Sequence, residues 1–361
     1  MDADYIDAVG IISDPHANIT ALTHVVDELD HKNIKKIICL GDIVGYGSSV
    51  HSIIDIFRKG WPSKDKNTYQ FLTVQGNHDK HLAQLYKGER LPGTLRWLYR
   101  VNPNAVDTLV EAVNALRRTP LTSPPRIEFL LNLPQFVQIA KGIIGIHAFQ
   151  NNESDAIYTV PFWLGARYGI DNLDLMYDPR DALNNPNIFN ENVYAYFEGH
   201  VHIPFAAGIT REGEYKILVP HGAKGIMEKG KKSPLEKLLD KDADLGIFGM
   251  PSSSGVFSFE EPETEALDEK EASEEMTAST TYLDLKKYQR IIVNTGSVSR
   301  SKVEDEEVFG SKAQMTQLQR NFWNELISQG KGLATAFYTI LRKDLIVEFH
   351  QIQYITSLYN P

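Results

Sequence analysis

The sequence predicts an α/β protein, and three observations predict it. Short β-branched runs recur along the chain, helical periodicity fills the intervals between the early ones, and a polar cluster follows most of them. The runs cover residues 8–12 (AVGII), 36–40 (KIICL), 71–75, 142–146, 193–198 and 290–294. Continuous apolar runs of this length read as strands buried on both faces.

Between the first two runs, Ile19, Leu22, Val25, Val26 and Leu29 recur at helical spacing, with Asn18 placed to cap the helix. Val50, Ile53, Ile54 and Phe57 repeat the pattern before the third run. Strand-helix-strand alternation implies parallel strands covered by helices on their outer side. Residues 81–132 read as mainly helical, punctuated by Pro92, Pro103 and Pro120, with Ser123 an expected N-cap and Pro124 at the first helical position. Residues 149–192 show no clear period and read as a long structured loop. At the other end, 332–355 reads as a closing hairpin that turns at Lys343 and Asp344.

Composition sets the class. A chain of 361 residues, 42% hydrophobic and 23% charged, can bury a sizeable core, which excludes a disordered or fibrous protein. Cys39 is the one cysteine, so neither an internal disulfide nor a cysteine zinc cluster can form, and a reducing compartment is expected. The acidic N-terminus has too short an apolar stretch for a signal peptide, so a cytoplasmic protein with no membrane partner is expected. A net charge of -10 argues at first against nucleic acid, but residues 258–276 hold nine acidic residues and one lysine and so carry most of it. A local basic groove therefore remains open. A lysine-rich piece followed by this acidic block makes 222–288 read as a flexible insertion into a domain formed by 1–221 and 289–361. The plain reading is a solvated loop; the sharper one is a segment that docks a protein partner or lies over the site.

The chemistry gathers after the strands, at the edge where ligands bind in open α/β sheets. In order these clusters are DPH at 14–16, GD at 41–42, GNHD at 76–79, IHA at 146–148 and GHVH at 199–202. They supply Asp14, His16, Asp42, Asn77, His78, His147, His200 and His202, a thiolate-free set of oxygen and imidazole donors that suits Mn, Fe, Co, Ni or Zn. Two cations in one site need a bridging carboxylate, and Asp42 is the one acid of its loop.

This ordered pattern resembles the calcineurin-like metallophosphoesterases, whose sequence of motifs is D-x-H, G-D, G-N-H-D/E, H and G-H-x-H. The segments GDIVGYG (41–47), NLPQ (132–135) and NTGSV (294–298) are similar to a bacterial and archaeal branch of that family. The resemblance covers roughly 6–212 and 289–300. It implies a four-layer α/β/β/α sandwich of two mixed sheets and hydrolysis of a phosphomonoester or phosphodiester by a water activated between two divalent cations, manganese foremost. One cation would be held by Asp14, His16, Asp42 and His202, the other by Asp42, Asn77, His147 and His200. His78 would face the phosphate and leaving group, with Asp79 orienting it. The substrates implied are a phosphorylated small molecule, a nucleotide of the diadenosine-polyphosphate type, a nucleic-acid end or a phosphoprotein, the last disfavoured because GDIVGYG contains no arginine. A binding scaffold without chemistry is the alternative from another class, and such scaffolds are expected to have lost ligands.

Three positions depart from the family pattern: Pro15, Ala17 where Gly is usual, and Thr295 where Pro is usual. Pro15 is expected to push Asp14 into extended geometry. His24, His31, His51, His81, His221 and His350 lie outside the pattern and read as structural; His221 is the one expected nearest the site. Tyr46 reads equally as a substrate contact or a turn residue. Phe149, Tyr158, Phe162, Trp163 and Tyr168 read mainly as buried aromatics.

Overall fold

The computed structural model describes residues 8–62, 68–69, 71–89, 103–151, 157–158, 160–161, 176–218, 220, 280–299 and 331–357. Twelve strands of these residues form two six-stranded mixed sheets.

The first sheet contains β1 (Ala8–Ile12), β2 (Ile37–Cys39) and β3 (Phe71–Thr73), all parallel, and three strands from late in the chain. The second takes β4 (Phe136–Ala140), β5 (Ile143–Ile146), β6 (Ala195–Glu198), β7 (Phe205–Thr210) and β8 (Tyr215–Leu218). The late strands are β9 (Thr280–Asp284), β10 (Tyr288–Asn294), β11 (Lys331–Arg342) and β12 (Ile346–Ser357). Sheet one runs β9-β12-β11-β1-β2-β3 and sheet two β8-β7-β10-β6-β5-β4. The sequence runs thus mark β1, β2, β3, β5, β6 and β10, and the hairpin β11–β12 turns where expected, with Leu345 at φ 68.

Helices α1 (Ile19–His31), α2 (Val50–Lys59), α3 (Asn77–Tyr86), α4 (Pro103–Arg117) and α5 (Pro124–Leu131) cover the outer face of sheet one. Alternation within the strands explains the layering: Ile12, Ile37 and Cys39 join the helix-side core, whereas Ile11, Ile38 and Leu40 point the other way into the core between the sheets. There they meet Ile143, Phe197, Ile291 and Val293 from sheet two. A third cluster, with Leu183, Phe189, Phe205 and Ile292, lies beyond sheet two under the short α6 (Pro179–Asn184). These layers are the four-layer sandwich.

Asn18 caps α1 as expected, accepting from the Ala21 N–H at 3.0 Å. Ser123 is the N-cap residue of α5 with Pro124 after it, as expected, but its side chain makes no cap hydrogen bond. Its hydroxyl turns back to the Leu116 carbonyl at 2.7 Å and ties α5 to the end of α4. The aperiodic stretch contains α6, whose Asp178 N-cap and Pro179 form a start signal that its six residues of helix are too short to announce by periodicity. Thr280–Asp284 pairs with β12, and a 3₁₀ turn at Leu285–Lys287 leads into β10. Residues 280–287, read as the end of the insertion, therefore belong to sheet one and its connection, since Leu283 and Leu285 supply apolar surface to the core between the sheets. The rest of that segment, 222–279, lies outside the described residues, as do His221, Phe162, Trp163 and Tyr168.

Candidate metal centre

Within sheet one β1, β2 and β3 are parallel, and within sheet two so are β5, β6 and β10. The loops leaving their C-terminal ends carry every predicted donor. Backbone bonds lace the first two loops together: Asp14 N–H to Gly41 O at 3.0 Å, His16 N–H to Asp42 O at 3.0 Å and Ala17 N–H to Ile43 O at 2.7 Å. From sheet two the His200 N–H donates to Asp14 Oδ2 at 3.0 Å, joining the two halves. The loop after β10 braces the first, with Val298 N–H on Ser13 O at 2.9 Å and the Ser297 hydroxyl on Asp14 O at 2.9 Å.

The backbone is strained where the donors sit. Eight described non-glycine residues have positive φ, and six of them are Asp14 (53°), His16 (43°), Ala17 (57°), Asp42 (53°), His200 (68°) and His202 (61°). Left-handed geometry costs L-residues roughly 1–2 kcal/mol each, and its concentration here is the mark of a functional site. Asp14 is thus left-handed rather than extended, contrary to what the following proline favours; the bonds at its N–H and carbonyl override that preference. Ala17 adopts a glycine-like φ, and its buried methyl joins the helix-side core in exchange.

Close approach explains the glycines of these loops. A Cβ on Gly76 would fall 2.1 Å from Asp42 Oδ1, and one on Gly199 would fall 1.7 Å from Ser13 Oγ.

Three side-chain triads converge: Asp14, His16 and His202; His16, Asp42 and His78; and Asp42, His147 and His200. His16 Nδ1 lies 3.0 Å from Val44 O, and His147 Nδ1 lies 2.7 Å from Leu40 O. A carbonyl can only accept, so each Nδ1 carries a proton, and in the neutral ring each Nε2 is left with its lone pair toward the centre. His16 Nε2 then faces His202 Nε2 at 2.9 Å. His147 Nε2 faces Asn77 Oδ1 at 2.9 Å and Asp42 Oδ2 at 3.4 Å. Asp14 Oδ1 is buried with no hydrogen-bond partner, 3.5 Å from His202 Nε2 and 3.9 Å from His16 Nε2. Lone pairs that face one another need a proton or a cation between them. The donor set fits a cation.

The electrostatics agree. Burial would raise the Asp14 carboxyl, but the imidazoles of His202 and His147 outweigh it and bring it down to about 2. Asp42 is held well below the usual range against burial by His147, His78 and His16. Burial pushes His16 down to about 4, helped by His202, and His200 down to about 3, helped by His147. His147 moves the other way, to about 9, because Asp42 overcomes its burial. Two ionised carboxylates thus face the neutral imidazoles of His16 and His200, which is the ligand form, while His147 holds a proton that a cation would displace. Among the described residues neither carboxylate has a lysine or arginine partner.

His78 lies in the same cluster, its Nε2 4.0 Å from Asp42 Oδ2 and its ring centroid 5.0 Å from that of His16. Burial holds it down to about 3, although Asp42 pulls upward. Asp79 does not orient His78 side chain to side chain. Its two oxygens accept from Gly76 N–H at 3.0 Å and Val44 N–H at 3.2 Å, so it fixes the turn on which His78 stands. Burial, then the charge of Asp42, raises this carboxyl to about 8. Tyr46 sits over the imidazoles, with ring centroids 4.8 Å from His16 and 5.2 Å from His78. Phe149 packs against Tyr177 and Tyr196 beyond sheet two, so burial is its role.

Two features escaped the sequence reading. Glu198 is buried beside His200; it accepts from Tyr177 OH at 3.0 Å, and burial raises it to about 8. Thr295 donates its N–H to Glu198 O at 3.0 Å, a bond that a proline there cannot make. A buried acid directly before GHVH was the available signal for the first; for the second, the departure from Pro at Thr295 was noted but not the bond it permits.

The model of the calcineurin-like phosphoesterases matches residues 8–204. The chain belongs to that family. An uncharacterized protein of Methanocaldococcus jannaschii is 42% identical over 71 residues, which make up 20% of this chain and 26% of that relative's length. Among solved structures the chain is similar to a metallophosphoesterase from Sphaerobacter thermophilus, at 19% identity and a TM-score of 0.47, covering 97% of this chain and 89% of that one. It is also similar to a hypothetical protein from Pyrococcus horikoshii, at 17% identity and a TM-score of 0.34, covering 65% and 95%. No helix among the described residues is long and apolar enough to cross a membrane.

Proposed function

We propose that this phosphoesterase hydrolyses its substrate at a centre of two divalent cations. The observation that carries this reading is the set of converging donors with unmet valences: Asp14 Oδ1 without a partner, His16 Nε2 against His202 Nε2 at 2.9 Å, and Asp42 common to two triads. Asp14, His16, Asp42 and His202 would hold one cation, and Asp42, Asn77, His147 and His200 the other. When bound, such cations supply Lewis acidity, which draws charge from the phosphoryl oxygens and acidifies water.

The chain does the remaining work. The carbonyls of Val44 and Leu40 fix the tautomers of His16 and His147, so both rings are aimed before anything binds. His78 Nε2, turned toward the cluster, is the atom placed to meet the departing ester oxygen, and it can hand over a proton only once bound phosphate charge has raised its pKa. Asp79 holds its turn in register. His202, with 29% of its side chain exposed, and the half-buried Tyr46 mark the side from which substrate enters.

Manganese is the first cation to try with this oxygen and imidazole set. Protein loaded with Mn²⁺ is expected to hydrolyse p-nitrophenyl phosphate or its bis ester. Failure on both, with metal bound, sinks the reading in favour of a binding scaffold, which the complete donor set otherwise disfavours.

A further inference from the structure

The carbonyls of Val44 and Leu40 aim His16 and His147, but no hydrogen bond aims His78. Its Nδ1 is shielded from solvent without a partner, and its Nε2 stands 4.0 Å from Asp42 Oδ2, beyond hydrogen-bonding distance. The torsion that turns an imidazole on its Cβ is broad and roughly two-fold, so an unbonded ring exchanges Nε2 for a carbon unless its neighbours stop it. Here those neighbours come from the GDIVGYG loop. A Cβ on Gly45 would fall 3.1 Å from His78 Nδ1 and closer still to His16 Nδ1, so the glycine lets the chain lie against both rings. The next residue, Tyr46, sets its ring centroid 4.8 Å from that of His16, 5.2 Å from that of His78 and 6.5 Å from that of His202. Among the described residues, it is the one aromatic ring from outside the histidines of the centre that meets any of these three.

Resting on the phosphoesterase reading above, we propose that Tyr46 is the positioning residue of His78, its ring holding the imidazole with Nε2 toward the donor cluster. The chain is anchored on both sides of Tyr46. Val44 donates its N–H to Asp79 Oδ1 at 3.2 Å while its carbonyl meets His16 Nδ1, and Gly47 donates its N–H to His16 O at 2.8 Å. A fixed turn thus delivers the ring to one place. Tyr46, His16 and His78 form a triangle of rings with centroid separations of 4.8, 5.0 and 5.2 Å, within the range where aromatic pairs attract beyond the area they bury. Removing Tyr46 takes out one corner and lets the His78 ring turn. A reacting group displaced by about 1 Å costs about 10²-fold in rate. The ring makes these contacts, so phenylalanine is expected to serve in its place.

The test compares two leaving groups on Mn²⁺-loaded full-length protein. Phenyl phosphate releases a poor leaving group that needs a proton, whereas p-nitrophenyl phosphate releases a stable anion that does not; diphenyl and bis(p-nitrophenyl) phosphate serve in the same way if the enzyme cleaves diesters alone. In Tyr46→Ala, the ratio of kcat for the phenyl ester to that for the p-nitrophenyl ester is expected to fall about tenfold or more, with KM and metal content little changed. Tyr46→Phe should restore the ratio. His78→Ala should lower it too, and adding Tyr46→Ala should lower it no further, because both changes remove one function. Taking a ratio cancels any loss of metal or of folded protein. As a readout without turnover, ring ¹⁵N spectra of the histidine-labelled, Zn²⁺-loaded protein should show one sharp set of His78 signals in the wild type and in Tyr46→Phe, broadened or doubled in Tyr46→Ala. A ratio in Tyr46→Ala within about threefold of wild type overturns the proposal; so do additive losses in the double variant, or His78 signals that stay single and sharp in Tyr46→Ala. A metal-loaded wild type that cleaves none of the four esters removes the phosphoesterase reading itself, and the ring spectra then decide whether Tyr46 holds His78.

Discussion

The two sheets contribute unequally to the centre. Sheet one supplies both carboxylates, Asp14 and Asp42, with His16, Asn77 and His78, and its first two loops are laced to each other by three backbone bonds. Sheet two supplies imidazoles alone, His147, His200 and His202, and reaches across through the His200 N–H on Asp14 Oδ2. One triad, His16, Asp42 and His78, lies within sheet one, while the other two span the gap. Sheet one therefore sets the charge of the site, and the distance between the sheets sets whether its valences close. Charge and closure are separable by mutation.

The largest effect is expected where the charge is removed. Asp42→Asn takes a donor from two triads, so bound metal, read by elemental analysis, and turnover should both fall by more than the roughly 10–100-fold that loss of an outer partner costs. His78→Ala tests the other claim about sheet one. Turnover should fall roughly 10²–10⁴-fold with metal content retained, and a matching loss of metal would contradict the division of roles. Closure is broken at Gly199, where an added Cβ meets Ser13 Oγ of the opposite sheet. Gly199→Ala should lose about 1–3 kcal/mol of stability on thermal unfolding and weaken metal binding, although it removes no donor; unchanged metal affinity would show that the gap tolerates widening. The mildest change is Thr295→Pro, which deletes one N–H bond to Glu198 O beside GHVH. It should cost about 0.5–1.5 kcal/mol, measured as a small drop in the midpoint of denaturant unfolding.

Much of this was legible in advance, and the reasons differ by feature. The donors were readable because each follows a buried run, and the ends of parallel strands collect whatever follows them, as Asp14 after Ile12 and His147 after Ile146 do. Membership of the two sheets was not readable, because Ile37–Cys39 and Ile143–Ile146 are both buried runs and neither names its partner strand. β7 and β8 went unnoticed because Phe205–Thr210 is rich in Ala and Gly, weak strand formers that gain their place from packing against β10. Left-handed φ at Asp14, His16 and Asp42 leaves no trace in residue type, since the surrounding loops impose it. The resemblance implied that Asp79 orients His78, whereas a helix start offers a carboxyl nearer partners in backbone N–H groups.

The strand order carries a consequence for how the molecule is made. β1 lies between β2 and β11, and β10 lies between β6 and β7. Every donor has therefore been synthesised once residue 202 is added, while a central strand of each sheet is still to come. Loops this long close slowly, and contacts so distant in sequence delay folding. A chain stopped at residue 204 would carry all the donors of the matched stretch and lack the strands that hold them in register. Cation uptake at the proposed centre is therefore expected late, after the last hairpin has docked.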